Sequence, residues 1–214
     1  MHKIYEAIVG SRSYGLNRKN SDTDIKGVYI QPLQEILGFK YKEHQVVSDD
    51  ITYYEVRKFI ELLGKANPTI LEMLWIPDNL ILQTSPAFEY IKKHRSFFLT
   101  KSCQHSYLGY AIQQLKRFPT NLNYKNLMHV CRLCYSARSI AENRSMIVFI
   151  ENENFRNFLF DIRDQKIRSE EIVKWAENEF KQIKIQFEKS NLPESINIDL
   201  LHDLLVTIRN QYSP

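Results

Sequence analysis

The spacing of apolar residues changes character along this chain. Near its start they come in two short runs, Ile4 to Val9 and Ile25 to Ile30, which end at Gly10 and just before Pro32. Short apolar runs bounded by such breakers read as strands. The polar stretch between them, with Gly15, Asn17, Asn20 and Ser21, reads as a turn. Val46-Val47 and Ile51 to Tyr54 add two strand pieces, split by Asp49-Asp50. Pro32 to Leu37 fits a short helix with proline in its first turn.

From Tyr54 onward the period becomes helical. Val56, Phe59, Ile60, Leu62 and Leu63 form one face. Asn67-Pro68 interrupts it, Thr69 to Ile76 resumes it, and Pro86 opens a helix over Ala87 to His94. Beyond about residue 100 the chain reads as almost wholly helical. Tyr107, Tyr110, Ala111, Gln114, Leu115 and Phe118 make a stripe that Pro119 is expected to stop. Further helices are expected from Tyr124 to Glu142, from Ser169 to Lys189 and from Ile198 to Ile208; Ser169 followed by two glutamates is a start signal. The expected fold class is α+β. A mixed sheet with helices occupies residues 1–100, and a helical bundle occupies 101–214.

Composition narrows the picture. The 214 residues suit one large or two small domains, and 43% are apolar, enough for a real core. No apolar run is long enough to span a membrane, so no membrane partner is expected. The opening Met1-His2-Lys3-Ile4-Tyr5-Glu6 does not read as a signal peptide, so a cytoplasmic location is expected. Three cysteines, an odd number, point to reduced thiols. Cys131 and Cys134 make a C-x-x-C, but it lies in an apolar helical run with no second pair, which favours core packing over zinc or redox chemistry. The net charge of +4 suits a polyanionic substrate without being diagnostic of one.

The chemistry is concentrated in Gly10-Ser11-Arg12-Ser13-Tyr14-Gly15-Leu16 and Ser21-Asp22-Thr23-Asp24-Ile25-Lys26-Gly27-Val28. If Asp22 and Asp24 begin the second strand, its period of two puts both carboxylates on one face. Two like charges held that close repel, and a divalent metal removes the conflict. Magnesium takes a few carboxylate oxygens together with substrate phosphates and water. Gly10-Ser11 complements this platform. Glycine admits a ligand close to the backbone, and a turn leading into a helix offers N–H groups and a hydroxyl to phosphate. Arg12 adds a phosphate contact.

Gly10-Ser11 followed by Asp22-Thr23-Asp24 resembles the signature of the DNA polymerase beta superfamily of nucleotidyltransferases. The fuller pattern G-S-x-x-Y-G-L, then S-D-x-D-x-x-G-V, is similar to the RNA-repair-associated branch, the YcgL-like or RlaP family. Asn67-Pro68-Thr69-Ile70-Leu71-Glu72, Tyr107-Leu108-Gly109-Tyr110-Ala111 with Gln114-Leu115, the helix carrying Lys125, His129 and Arg132, and Ser190-x-Leu192-Pro193 extend the likeness over nearly the whole chain.

The resemblance implies a nucleotidyltransferase that uses Mg²⁺ or Mn²⁺ and a nucleoside triphosphate. Gly10, Ser11 and Arg12 would contact the triphosphate. Asp22, Asp24 and a third carboxylate would bind metal. The likeness points to Asp50 for the third, with Asp49 and Glu55 as rivals; a strand that turns Ile51 and Tyr53 to the core turns Asp50 to the cleft. Lys125, His129 and Arg132 stand four and then three residues apart, one helix face, and are assigned to the phosphates. They are expected to face the same cleft as Asp22 and Asp24. Asn67 and Glu72 read as architectural. The acceptor is expected to be an RNA or tRNA 3′ end. A protein hydroxyl, as in AMPylation, is the alternative, and a catalytically inactive nucleotide-binding module is the third reading.

Overall fold

The computed structural model describes residues 1–212 apart from the side chain of Asn121; residues 213–214, at the end of the expected helical half, lie outside the described residues. Two compact units are present: Met1–Phe98 with Ile196–Pro214, and Leu99–Ser195. The class is α+β, a five-stranded mixed sheet with helices in the N-terminal half and a helical region after it.

The sheet contains β1 (His2–Ile8), β2 (Ile25–Ile30), β3 (His44–Ser48), β4 (Ile51–Glu55) and β5 (Ile81–Thr84), ordered β3-β4-β2-β1-β5. The β2–β4 pair is parallel and the other pairs are antiparallel. A parallel pair needs a crossover connection, which α1 (Leu33–Leu37) and β3 provide. Ile4, Tyr5, Ala7, Val28 and Ile30 are buried. The glycine of S-D-x-D-x-x-G has a packing reason. A Cβ on Gly27 would sit 2.5 Å from the Tyr53 ring and 2.6 Å from the Tyr5 carbonyl.

Three helices accompany the sheet: α2 (Val56–Gly64), α3 (Pro68–Glu72) and α4 (Pro86–Lys93). Each has a side-chain cap: Glu55 accepts from the Arg57 N–H, Asn67 from Ile70 and Ser85 from Phe88. Pro68 and Pro86 stand in the first turns, where their missing N–H costs nothing. Phe88 of α4 stacks on Tyr5 of β1, with ring centroids 3.6 Å apart.

The second unit contains α5 (Ser102–Asn121), α6 (Tyr124–Asn143), α7 (Glu153–Arg163) and α8 (Ser169–Lys189). Helix α6 packs against the other three. Pro119 does not stop α5 as expected. The helix continues to Asn121 and closes at Leu122, whose φ of 47° is left-handed and whose N–H reaches the Phe118 carbonyl. A proline this close to a helix end forfeits a single N–H bond, and a left-handed residue closes the final turn. Cys103, Cys131 and Cys134 are buried, and burial pushes their thiols up, Cys103 to about 11. They are core residues, held as thiols.

The last helix, α9 (Ile198–Tyr212), packs against α2 and α4 of the first unit. A Cβ on Gly64 would meet Leu201 of α9 at 2.5 Å. Arg209 of α9 reaches Glu55 Oε1 at 2.5 Å and the Gln31 carbonyl at 3.2 Å. Glu55 is fully buried, and Arg209 and the N–H groups of Gln31 and Arg57 engage its oxygens.

Candidate nucleotide and metal site

The Gly10–Leu16 loop is wound on itself. Tyr14 N–H donates to the Gly10 carbonyl at 3.3 Å, Gly15 N–H to Arg12 at 3.2 Å, and Leu16 N–H to Ser11 at 2.8 Å. The Ser13 hydroxyl donates to the Gly10 carbonyl at 2.9 Å. The loop does not lead into a helix, contrary to the sequence expectation. Gly10 and Gly15 both adopt positive φ, 68° and 72°, and a left-handed residue at each end confines the winding to one turn. The N–H groups of Ser11, Arg12 and Ser13 and the Ser11 hydroxyl make no bond among the described residues. They form a short row of donors of the kind that suits an anion.

Asp24 lies at the meeting point of three segments. Its carbonyl accepts from Val9 N–H at 2.9 Å, extending the β1–β2 ladder by one step. The next residue, Ile25, donates to the Asp50 carbonyl at 2.7 Å, which ties the start of β2 to the turn before β4. Asp22 and Asp24 therefore precede the strand rather than begin it. The segment before Ile25 is held instead by Arg12, whose guanidinium donates to the Ser21 carbonyl at 3.0 Å and the Asp22 carbonyl at 3.3 Å. Arg12 thus spends two of its donors joining the loop to the aspartate segment.

The Asp24 carboxylate lies against the loop. A Cβ added to Gly10 would stand 2.2 Å from Asp24 Oδ2. Asp22 and Asp50 are exposed. Asp49 shares the exposed β3–β4 turn with Asp50. Glu55 stands at the opposite end of β4, its oxygens taken up by Arg57 N–H and Arg209. Among the described residues no three His, Cys, Asp or Glu side chains are gathered closely enough to hold a metal ion. Asp22, Asp24 and Asp50 are neighbours across one corner of the sheet without closing into a set of three. Their donors are all hard carboxylate oxygens beside a bare glycine backbone. That chemistry fits Mg²⁺, which needs few protein oxygens.

Sequence reasoning passed over Lys26, two residues beyond Asp24. Burial lowers its pKa, with Asp24 acting the other way, and its ammonium lies 5.8 Å from the Tyr54 ring centroid. The signal was available as a lysine inside an apolar strand.

The helical stripe lies in the second unit. Lys125 is exposed, His129 half-buried and Arg132 only 2% exposed. Arg132 Nε donates to His129 Nδ1 at 3.4 Å, and the His129 ring meets Tyr110 edge-on at 5.7 Å. Burial, then Arg132 and Lys125, hold the His129 pKa well below its ordinary value. A histidine neutral in the folded state takes up its proton only on unfolding. Its contribution is complete above the unfolded pKa of about 6.5 and is lost as pH falls below it. Below that pH, stability is expected to fall by up to about 1.4 kcal/mol per pH unit from this group. Thermal melts from pH 7 to 5 should show a shallower decline for His129→Gln than for the wild type; equal slopes would remove His129 as the cause.

The family model described as RNA repair pathway DNA polymerase beta family, RlaP, matches residues 1–207. The chain belongs to the RlaP family. It is also similar to an uncharacterized 38.9 kDa protein from the nrdC-mobD intergenic region of Enterobacteria phage T4, 28% identical over 132 residues that cover 55% of this chain and 39% of that protein. Against YcgL of Bacillus subtilis the identity is 26% over 123 residues, covering 54% of this chain and 46% of YcgL. The aligned part is less than half the length of either relative. No solved structure matches. No helix among the described residues is long and apolar enough to cross a membrane.

Two of the motifs that resemble the RlaP pattern meet in space. The Tyr14 hydroxyl, from the loop, donates to Glu72 Oε2, at the end of α3, at 2.8 Å. Glu72 is 3% exposed, and Asn67 caps the helix that carries it. A buried carboxylate thus anchors the loop 58 residues away in sequence. Tyr14→Phe keeps the ring and removes the donor, leaving a buried acceptor one bond short. The expected cost is about 1–3 kcal/mol, read as a lower melting temperature with a raised KM for nucleotide. An unchanged KM would reduce the contact to packing.

Proposed function

We propose that this RlaP-family chain is a Mg²⁺-dependent nucleotidyltransferase that moves a nucleoside monophosphate from a triphosphate to an RNA 3′ hydroxyl. The supporting observation is the Asp24 carboxylate lying against the bare Gly10 backbone, beside a row of free N–H donors, with the following residue, Ile25, bonded to the Asp50 carbonyl. In this reading Ser11 and the loop N–H groups hold phosphate oxygens, and Asp22 and Asp24 hold the cation, with Asp50 as the third carboxylate. Mn²⁺ would serve in place of Mg²⁺. The cation, when bound, neutralises phosphate charge and eases deprotonation of the acceptor hydroxyl. The acceptor oxygen bonds to the α-phosphorus, the α–β bridging P–O bond breaks, and pyrophosphate leaves. The same proposal gives residues 1–100 the chemistry.

The RNA acceptor rests on the family's link to RNA repair. The test incubates the purified protein with labelled nucleoside triphosphates, Mg²⁺, and either total RNA or cell lysate. Label at RNA 3′ ends, lost on chelation, is the expected result. Label in protein would move the acceptor to a protein hydroxyl. No label, with no rise in melting temperature on adding nucleotide and Mg²⁺, would leave an inactive module.

A further inference from the structure

After β2 the chain runs through α1 into a loop, Gly38-Phe39-Lys40-Tyr41-Lys42. Phe39 at its tip is fully exposed, at 110% of its reference area. Exposed aromatics on floppy loops mean little, but this loop is pinned. The Gln31 side chain donates to the Lys40 carbonyl at 3.1 Å and accepts from Lys42 N–H at 2.8 Å. The Tyr29 hydroxyl donates to the Lys42 carbonyl at 2.7 Å. Three bonds from β2 and the residue after it therefore hold the loop in one conformation.

The surroundings are cationic. Lys40 and Lys42 follow Phe39 and make no ion pair among the described residues, whereas the nearby acids are engaged. Glu43 pairs with Lys58 at 3.0 Å, and Glu35 accepts from Gln31 at 2.8 Å. The Arg57 guanidinium lies 5.9 Å from the Tyr41 ring centroid. Beside Phe39, Lys40 and Lys42 opens a cavity of about 750 Å³, lined also by His2, Tyr29 and Gln45. That volume suits a nucleotide-sized group.

We infer that this loop is a docking surface for single-stranded RNA, one unstacked base lying on Phe39 and the adjoining phosphates meeting Lys40 and Lys42. The inference rests on the RNA acceptor proposed above and names where the acceptor strand is held. An exposed aromatic beside unpaired lysines, on a loop held at its lysine backbone, is the kind of arrangement by which proteins bind single strands without reading sequence. A duplex offers no free base face and should not use the ring. The loop follows the end of β2 remote from Asp24. Six residues of strand, about 20 Å at 3.3 Å each, separate the two ends. The strand held at Phe39 is therefore several nucleotides upstream of the reacting end.

The test measures the anisotropy of a labelled single-stranded oligoribonucleotide, and of the same sequence as a duplex, with the wild type, Phe39→Ala, Phe39→Trp and Lys40→Ala/Lys42→Ala. Phe39→Ala is expected to weaken single-strand binding by about 5- to 150-fold, the range for one lost stack. Phe39→Trp should retain it, and the double lysine variant should show a shallower salt dependence. The rise in melting temperature with nucleotide and Mg²⁺ should be the same in all four proteins, since none of these residues belongs to the phosphate loop. Equal RNA affinity for Phe39→Ala and wild type overturns the inference. So does a wild-type dimer that Phe39→Ala dissociates without changing RNA affinity, which would make the patch a contact between copies. If the wild type binds nucleotide but neither binds nor labels RNA, the acceptor reading fails and the surface fails with it. If it labels RNA while Phe39→Ala binds RNA normally, the surface alone fails.

Discussion

Asp24→Ala is expected to abolish nucleotide transfer while leaving the chain folded. The Asp24 side chain makes no hydrogen bond or ion pair among the described residues; it is the Asp24 carbonyl that Val9 engages. Removing the carboxylate therefore leaves the ladder intact. The melting temperature should therefore barely move. The chemical cost is of another order. Loss of one pre-organised charge at a phosphoryl centre lowers turnover by about three orders of magnitude, and Asp22→Ala should behave alike. Labelled-nucleotide transfer with Mg²⁺, run beside thermal melts, separates the two effects. Near-wild-type transfer by either variant would end the metal assignment, and loss of fold would show that the carboxylate is structural.

Gly10→Ala is expected to damage stability and activity together. Its φ of 68° disfavours any side chain, and the added Cβ would stand 2.2 Å from Asp24 Oδ2. Backbone strain of this kind costs about 1–3 kcal/mol. The clash must be relieved by moving either the loop or the carboxylate, and a displacement of about 1 Å at a reacting centre costs about 100-fold in rate. A double-mutant cycle identifies the cause. In an Asp24→Ala background, Gly10→Ala no longer meets a carboxylate, so its stability penalty should shrink towards the strain term alone. An unchanged penalty would mean that Gly10 answers only to its own φ.

The parts of the candidate site that could be read from the chain are those closed by local geometry. Gly10-Ser11 and Asp22-Thr23-Asp24 carry their meaning in residue type and spacing. The strands on either side were legible because Ile4 to Val9 and Ile25 to Ile30 are apolar runs cut off by breakers. Helices α2 and α6 were legible from apolar period, and α3 and α4 also from the proline in their first turns. Other elements carried no such mark. Strand β5 has only Ile81 half-buried; its remaining three residues are exposed at the sheet edge, so it has no alternation to detect. Helix α7 was passed over, although Asn152 caps it and Leu159 and Ile162 are buried.

Pairings over long sequence distance were beyond the reach of any local pattern. Glu55 reads as a rival for the metal in the sequence, but Arg209, 154 residues away, takes up its carboxylate. Helix α9 reads as one more member of a helical half, because an amphipathic face does not say which partner it will bury against. Tyr14 and Glu72 sit in separate motifs, and nothing in either announces a hydrogen bond between them. Residue type and period thus determined the α+β class and most of the elements, because those follow from φ/ψ preferences within a few residues. Tertiary structure alone decided that Asp24 rests on Gly10, that Tyr14 hangs from Glu72 and that Glu55 belongs to Arg209. Each of those contacts depends on how remote segments pack, and local preference does not encode that.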